Sequence, residues 1–248
     1  MDRLVYTALT GLKGQMQAQA AIANNIANAS TTGFRADRVS FERMMLKGSE
    51  LESRQPSAEV VADADRRAGA IVSTGRSLDV ALVAEKNWLA VQAPDGSEAY
   101  TRRGDLSVSE SGVLQTGDGF PVMGGGGPIT LPPYDSISIA ADGTISIVPQ
   151  GGDPNQPQEI DRLKVVSEQG SQTVKGLDNL LRVRGGGALP EDLSAHVLAG
   201  SLEGSNVNLT QSLVDMIENQ RSYEVQANLV KEARGMDESA ASLMRLPA

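Results

Sequence analysis

The chain has 248 residues, 40% of them hydrophobic but only 3% aromatic, which predicts one modest globular unit plus segments that find their burial elsewhere, because aromatic rings bury the most area per residue. A formal net charge of -9 disfavours non-specific binding to nucleic acid, which needs a phosphate-neutralising basic face. The absence of cysteine excludes disulfides, thiolate chemistry and Cys-ligated metal.

The first residues, Met1-Asp2-Arg3-Leu4-Val5-Tyr6, lack the basic region, apolar run and small-residue cleavage site of a secretory signal. No run approaches the roughly 20 apolar residues needed to span a bilayer, so no direct membrane insertion is expected. From Arg3 to Asn28 the spacing predicts a helix. Val5, Leu9, Leu12, Met16, Gln19, Ala23 and Ile26 follow a 4-3-4-3 seam broken only by Gln19. Between Leu4 and Phe34 the only charged residue is Lys13. A solvated helix face normally carries Glu and Lys, so a face of Ala, Asn and Gln points to protein contact on several sides. Ser30-Thr31-Thr32-Gly33 ends this helix. From Ala36 to Gly69 the chain is charged and weakly periodic, with small apolar clusters at Met44-Met45-Leu46 and Val60-Val61-Ala62, and is expected to be an extended connector.

From Ala70 to about Gly200 the pattern is β. Short runs at Ile71-Val72, Leu78 to Val83, Trp88 to Val91, Val113-Leu114, Pro121-Val122, Ile137 to Ile139, Thr144 to Ile147, Arg162 to Val166 and Leu180 to Val183 are separated by turns. Asp95-Gly96, Asp118-Gly119 and Asp142-Gly143 suit tight hairpins, where central positions take positive φ. Leu78, Val80, Trp88 and Val91 are expected in the β-core. Arg102, Arg103 and Asp105 make either lateral contacts or a solvated turn.

A last helix is expected from Asn208, which with Gln211 resembles a capping box. Leu213, Met216, Tyr223, Ala227, Val230, Ala241 and Met244 lie on one seam, interrupted at Gln220, Arg234 and Asp237. It can run to about Arg245, with Gly235 able to bend or interrupt it. Pairing the two terminal seams is the simplest way to bury both.

Enzyme chemistry finds little support. His196 is the single histidine, which removes multi-His metal sites and leaves little room for a Ser-His-Asp arrangement. There is no GxSxG elbow and no GxxxxGK[ST] loop. Carboxylates are scattered through turns, and a glycosidase-like pair is the one enzymatic alternative left. A surface adhesin or binding module is the alternative of a different class. No catalytic residue, cofactor or metal is expected. Asn28-Ala29-Ser30 and Asn208-Leu209-Thr210 match glycosylation sequons, but both lie at helix ends, where capping explains them better.

Ala23 to Arg35, reading Ala-Asn-Asn-Ile-Ala-Asn-Ala-Ser-Thr-Thr-Gly-Phe-Arg, resembles the N-terminal signature of the bacterial flagellar rod and hook protein family. Ser77-Leu78-Asp79-Val80-Ala81, Asp95-Gly96, Tyr100-Thr101-Arg102, Asp105, Gly112-Val113-Leu114 and Asp142 to Ser146 resemble its central β-domain in order. Ser205-Asn206-Val207-Asn208 and Met216 to Glu224 resemble its C-terminal signature. Asn87 to Gln92 and Leu202 to Val207 are most like the proximal-rod branch, with the distal-rod branch second. Lys86-Asn87 and Arg103 depart from the usual pattern.

The resemblance implies an α+β fold: long N- and C-terminal helices pairing as an α-helical coiled-coil domain, a central mostly antiparallel β-domain and an extended connector. The expected boundaries are 1–35 for the N-terminal helix, 36–70 for the connector, 71–203 for the β-domain and 204–248 for the C-terminal helix. It implies a structural subunit of a helical rod that transmits torque and encloses an export channel. Its partners would be copies of itself, other proximal and distal rod subunits and the flagellar type III export apparatus. Location would be the periplasmic rod of the basal body, reached without a cleaved signal. The expected assembly interface comprises Leu9, Leu12, Met16, Asn24, Asn25, Ile26, Asn28, Leu213, Met216, Ile217, Tyr223 and Val230. Asn24, Asn25 and Asn28 either hydrogen-bond to neighbouring subunits or end the helix. The Ala-rich, aromatic-poor ends are expected to be largely disordered in the free monomer, since ordering costs about 1–2 kcal/mol per backbone residue.

Overall fold

The computed structural model describes residues 2–43 and 57–244. The chain divides into two compact units. The helical unit is built from Met1–Ala27, Asp37–Asp63 and Asn208–Ala248, and the β-unit from Asn28–Ala36 and Ala64–Val207.

In the helical unit, α1 spans Asp2–Ala27 and α2 spans Leu209–Met244. Gly235 lies inside α2 without ending it. Asn208 caps α2: its side-chain oxygen accepts the Gln211 amide at 3.1 Å, satisfying one of the orphan donors of the first turn. The reciprocal half of a capping box is replaced, because the Gln211 side-chain Nε2 donates forward to Asp215 at 2.8 Å. Strands β1 (Asp37–Arg43) and β2 (Ser57–Ala64) pair as a two-stranded sheet.

These features correct the expected fold class in two respects. The connector is not simply extended, since it carries the β1–β2 pair; the Met44-Met45-Leu46 cluster falls outside the described residues. Nor do the terminal helices form the expected coiled coil. The line that α1 buries is Gly14, Ala18, Ala21 and Asn25, offset from the predicted seam, and Leu9 and Met16 of that seam are 58% and 59% exposed. The helices meet through small and polar groups. Asn219, a buried residue of α2, donates to the Gln15 carbonyl at 3.3 Å, and Gln226 lies over Gly11. Coiled-coil packing needs large apolar knobs in facing holes, and glycine and alanine supply none.

The β-unit holds β3 (Ile71–Ser73), β4 (Val80–Leu82), β5 (Asn87–Gln92), β6 (Glu98–Thr101), β7 (Leu106–Val108) and β8 (Leu114–Thr116). Then come β9 (Tyr134–Ile139), β10 (Thr144–Pro149), β11 (Gln158–Arg162), β12 (Val165–Ser167) and β13 (Thr173–Lys175). The last three are β14 (Leu181–Val183), β15 (Val197–Ala199) and β16 (Ser201–Glu203). A five-stranded sheet has the order β12-β5-β6-β14-β13, and β11-β10-β9 forms a three-stranded one. Strands β15–β4, β16–β3 and β7–β8 form antiparallel pairs. The turn glycines Gly96, Gly119 and Gly143 take positive φ, as their Asp-Gly pairs require.

Strand β5 is buried on both faces, which explains its unbroken apolar run. Successive side chains alternate between faces. Leu89 and Val91 enter the main core with Leu106, Leu114, Val122, Ile145, Ile147 and Leu163. Trp88 and Ala90 enter a second cluster with Tyr100, Val166, Leu181 and Leu189. Val80 lies in the main core and Leu78 packs against it half-buried. The β-core expectation for Leu78, Val80, Trp88 and Val91 is thus met, with Trp88 on the face opposite Val91.

Candidate functional site

In the helical unit the candidate residues split into two groups. Leu9, Met16, Leu213 and Ile217 are exposed, while Leu12, Ile26, Met216, Tyr223 and Val230 are half-buried. The pattern missed Val214, Val225, Leu229 and Met236, which are also exposed on α2. No periodic reading of one seam finds them, because apolar residues are spread around that helix. Isolated exposed apolar residues are ordinary, but this many on the two helices of one unit leaves apolar area for contact with other protein.

The asparagines have work inside the chain. Asn25 is buried and clasps the Asp37 backbone in both directions: its Nδ2 donates to the Asp37 carbonyl at 2.9 Å and its Oδ1 accepts the Asp37 amide at 2.7 Å. Asn24 Nδ2 donates to the Asp37 carboxylate at 2.6 Å. This pair fixes the start of β1 against the end of α1. In the β-unit, the Asn28 side-chain oxygen accepts from the Thr31 hydroxyl at 3.1 Å and its carbonyl accepts the Thr31 amide at 3.1 Å.

A dense polar site of the β-unit lies where several of its chain crossings gather. Asn206 holds three of them: its Oδ1 accepts the Ala36 amide at 2.7 Å, and its Nδ2 donates to the carbonyls of Asp65 and Arg67 at 3.0 and 2.9 Å. Three residues earlier, Glu203 is 1% exposed and lies between two buried guanidinium groups. Arg102 Nε and Nη2 reach its Oε2 at 2.7 and 2.6 Å, and Arg35 Nη2 reaches its Oε1 at 2.6 Å. The Gly69 amide also donates to Oε1, at 2.8 Å. Arg102 spends its remaining donors on the carbonyls of Leu82, Ala84 and Asn87. Burial lowers the pKa of Arg102; Glu203 opposes that and Arg35 adds to it. The guanidinium carbons of Arg35, Arg66 and Arg102 lie 5.6–5.8 Å from the centre of the Trp88 ring, within cation–π range.

Two close approaches let the segments meet. Gly33 has φ of 67°, and a Cβ there would strike the Arg102 backbone. A Cβ on Gly69 would strike the Gly204 carbonyl. Arg102 is therefore an interior residue, not a lateral contact. Its neighbour Arg103 ties a local cluster, reaching Asp105 at 2.7 Å and Asp118 at 2.6 Å. Residue-type reasoning missed Arg35, Glu203 and Asn206 as a unit, although each lies within a signature segment.

The turn carboxylates have structural roles. Asp95 and Asp192 are lowered in pKa chiefly by the side-chain hydroxyls of Ser97 and Ser194, and Asp142 chiefly by the Thr144 amide. A general acid needs the opposite shift. Among the described residues no group of three His, Asp or Glu could hold a metal, and no helix is long and apolar enough to cross a membrane.

Family comparisons match all three regions in order. Residues 5–35 match a flagella basal body rod protein family, 83–147 a flagellar hook protein FlgE/F/G D1 domain, and 198–243 a flagellar basal body rod FlgEFG C-terminal domain. The flagellar basal-body rod protein FlgF of Salmonella typhimurium is 40% identical over 236 residues, covering 93% of each chain. FlgF of Escherichia coli gives the same 40% identity and 93% coverage of each chain. The flagellar basal-body rod protein FlgG of Bacillus subtilis is 31% identical over 99% of this chain and 100% of its own. With Gly33 to Arg35 and Leu202 to Asn206 falling inside the two terminal matches, the buried site and the family signatures coincide, and the chain belongs to the flagellar basal-body rod protein family.

Proposed function

We propose that the chain is a structural subunit of the bacterial flagellar rod, in its proximal part, and not an enzyme. The observation that carries this reading is the 40% identity to two FlgF proteins across 93% of both chains. A FlgG protein aligns over 99% of this chain and 100% of its own, but at only 31% identity, which makes the distal rod the weaker assignment. The subunit joins copies of itself and other rod proteins in a helical tube that carries torque and encloses the export path. A heterologous contact repeated with a rotation and a rise builds such an open helix. It reaches the periplasmic rod through the flagellar export apparatus without a cleaved signal.

The division into segments 1–35, 36–70, 71–203 and 204–248 is proposed as the functional one, with helices α1 and α2 of the terminal segments facing neighbours. Leu9, Met16, Leu213 and Ile217 are proposed as the apolar contacts, joined by Leu12, Ile26, Met216, Tyr223 and Val230 at their edges. Asn24, Asn25 and Asn28 contribute by holding the end of α1 in shape as well as by any bond to a neighbour. The exposed apolar positions support this reading, and ordering of the ends is proposed to be completed on assembly.

Deleting the gene and measuring swimming in soft agar tests the proposal. Loss of motility restored by the wild-type chain is expected, with Leu213→Asp/Ile217→Asp exported but absent from purified basal bodies. A deletion strain that still swims would overturn it.

A further inference from the structure

Residues 28–36 belong to the β-unit although the chain on either side of them does not. They contribute Phe34 and Arg35, both 3% exposed, to its interior. The Gly33 amide donates to the Glu203 carbonyl at 2.7 Å. The Ala36 carbonyl accepts the Asp65 amide at 2.7 Å. Lys175 donates to the Arg35 carbonyl at 2.8 Å and lies 3.9 Å above the Phe34 ring. The segment is thus a bound ligand of the unit, recognised through one aromatic ring, one cation and backbone groups.

The cation is poorly satisfied. Arg35 and Arg102 are two buried cations on one buried anion, Glu203. Arg102 has aligned acceptors on all three nitrogens. Arg35 has the 2.6 Å approach to Glu203, but its Nε, Nη1 and Nη2 make no aligned hydrogen bond among the described residues. A partly satisfied buried polar network weakens the segment that carries the unsatisfied member. Removing one partner of a buried pair is damaging when it strands a charge. Loss of Arg35 strands none, because Glu203 keeps Arg102.

We propose that residues 28–36 form a detachable strap docked in a site on the β-unit, and that Arg35 is the weak point through which the strap releases while the β-core stays folded. Docking of this segment is a local equilibrium separate from global unfolding, and Arg35 sets it towards release.

Amide hydrogen exchange on the full-length chain tests both statements. The Gly33 and Ala36 amides are expected to exchange about ten-fold or more faster than the core amides of Leu114 and Val122, the signature of local opening. Arg35→Met is expected to slow Gly33 and Ala36 about five-fold or more relative to the wild type, with the core amides unmoved. Strap amides that exchange at the core rate in the wild type would overturn the detachable strap. Faster strap exchange in Arg35→Met, or failure of that variant to fold, would overturn the weak point; the wild-type comparison decides the first statement alone.

Discussion

Glu203 and Arg102 meet with their charged groups 2.6 Å apart and each side chain 1% exposed. Strand β16 is thereby fastened to the end of β6, from which it is separated by 101 residues of sequence. A buried ion pair stabilises little against a well-packed apolar replacement, but removing one partner leaves an uncompensated charge. Glu203→Gln strands both Arg35 and Arg102, so it is expected to cost about 3–5 kcal/mol. Urea unfolding followed by the fluorescence of Trp88, the single tryptophan, measures this. A loss below about 1 kcal/mol would show that the pair contributes no more than a surface one.

The cap of α2 gives a smaller and separable effect. Asn208→Ala removes the acceptor of the Gln211 amide and is expected to cost about 1 kcal/mol. Asn208→Asp keeps an acceptor and is expected to remain near the wild type. Thermal unfolding followed by helical circular dichroism distinguishes the two, and equal losses in both variants would remove the capping account.

Tyr100 offers a pH test of the second core cluster. Its hydroxyl accepts the Leu189 amide at 2.6 Å and donates to Glu98 at 3.1 Å. Burial, with a smaller contribution from the Glu98 charge, pushes its pKa up to about 12. The unfolded chain therefore loses the phenolic proton first, near pH 10. The associated stability is whole below about pH 10 and is lost as the pH rises towards about 12. The stability difference between wild type and Tyr100→Phe is expected to shrink over that interval in denaturant unfolding; a constant difference would count against it.

How much of this was legible in the sequence depended on what each feature demands locally. Asp95-Gly96 and Asp142-Gly143 were readable because the backbone conformation of a tight turn excludes most residues. Strand β5 was readable because burial on both faces forces a continuous apolar run. By contrast β13, β15 and β16 have three residues each, too short for alternation to register. The buried line of α1 leaves no mark in hydrophobic periodicity, which weights large side chains, whereas Gly14, Ala18 and Ala21 bury by being small. Arg35, Arg102 and Glu203 were visible only as parts of separate signatures. Nothing local to any of them states that they meet, since a long-range ion pair leaves no periodic trace.

Gly33 and Gly96 separate conformational strain from crowding. Both take positive φ, 67° and 80°, where an added Cβ is strained by roughly 1–2 kcal/mol in either case. A Cβ at Gly96 meets open space, whereas one at Gly33 runs into the backbone of Arg102 and Arg103, which cannot move aside as a flexible side chain would. Gly33→Ala is therefore expected to lose more than Gly96→Ala by at least about 1 kcal/mol, in the range of overpacked sites. Its excess loss is expected to appear as a shift in Trp88 emission, since residues 33–35 would lift from the site in which Arg35 faces that ring. Equal losses in the two variants, with Trp88 emission unchanged, would mean that the close approach of Gly33 to Arg102 is not what holds this segment in place.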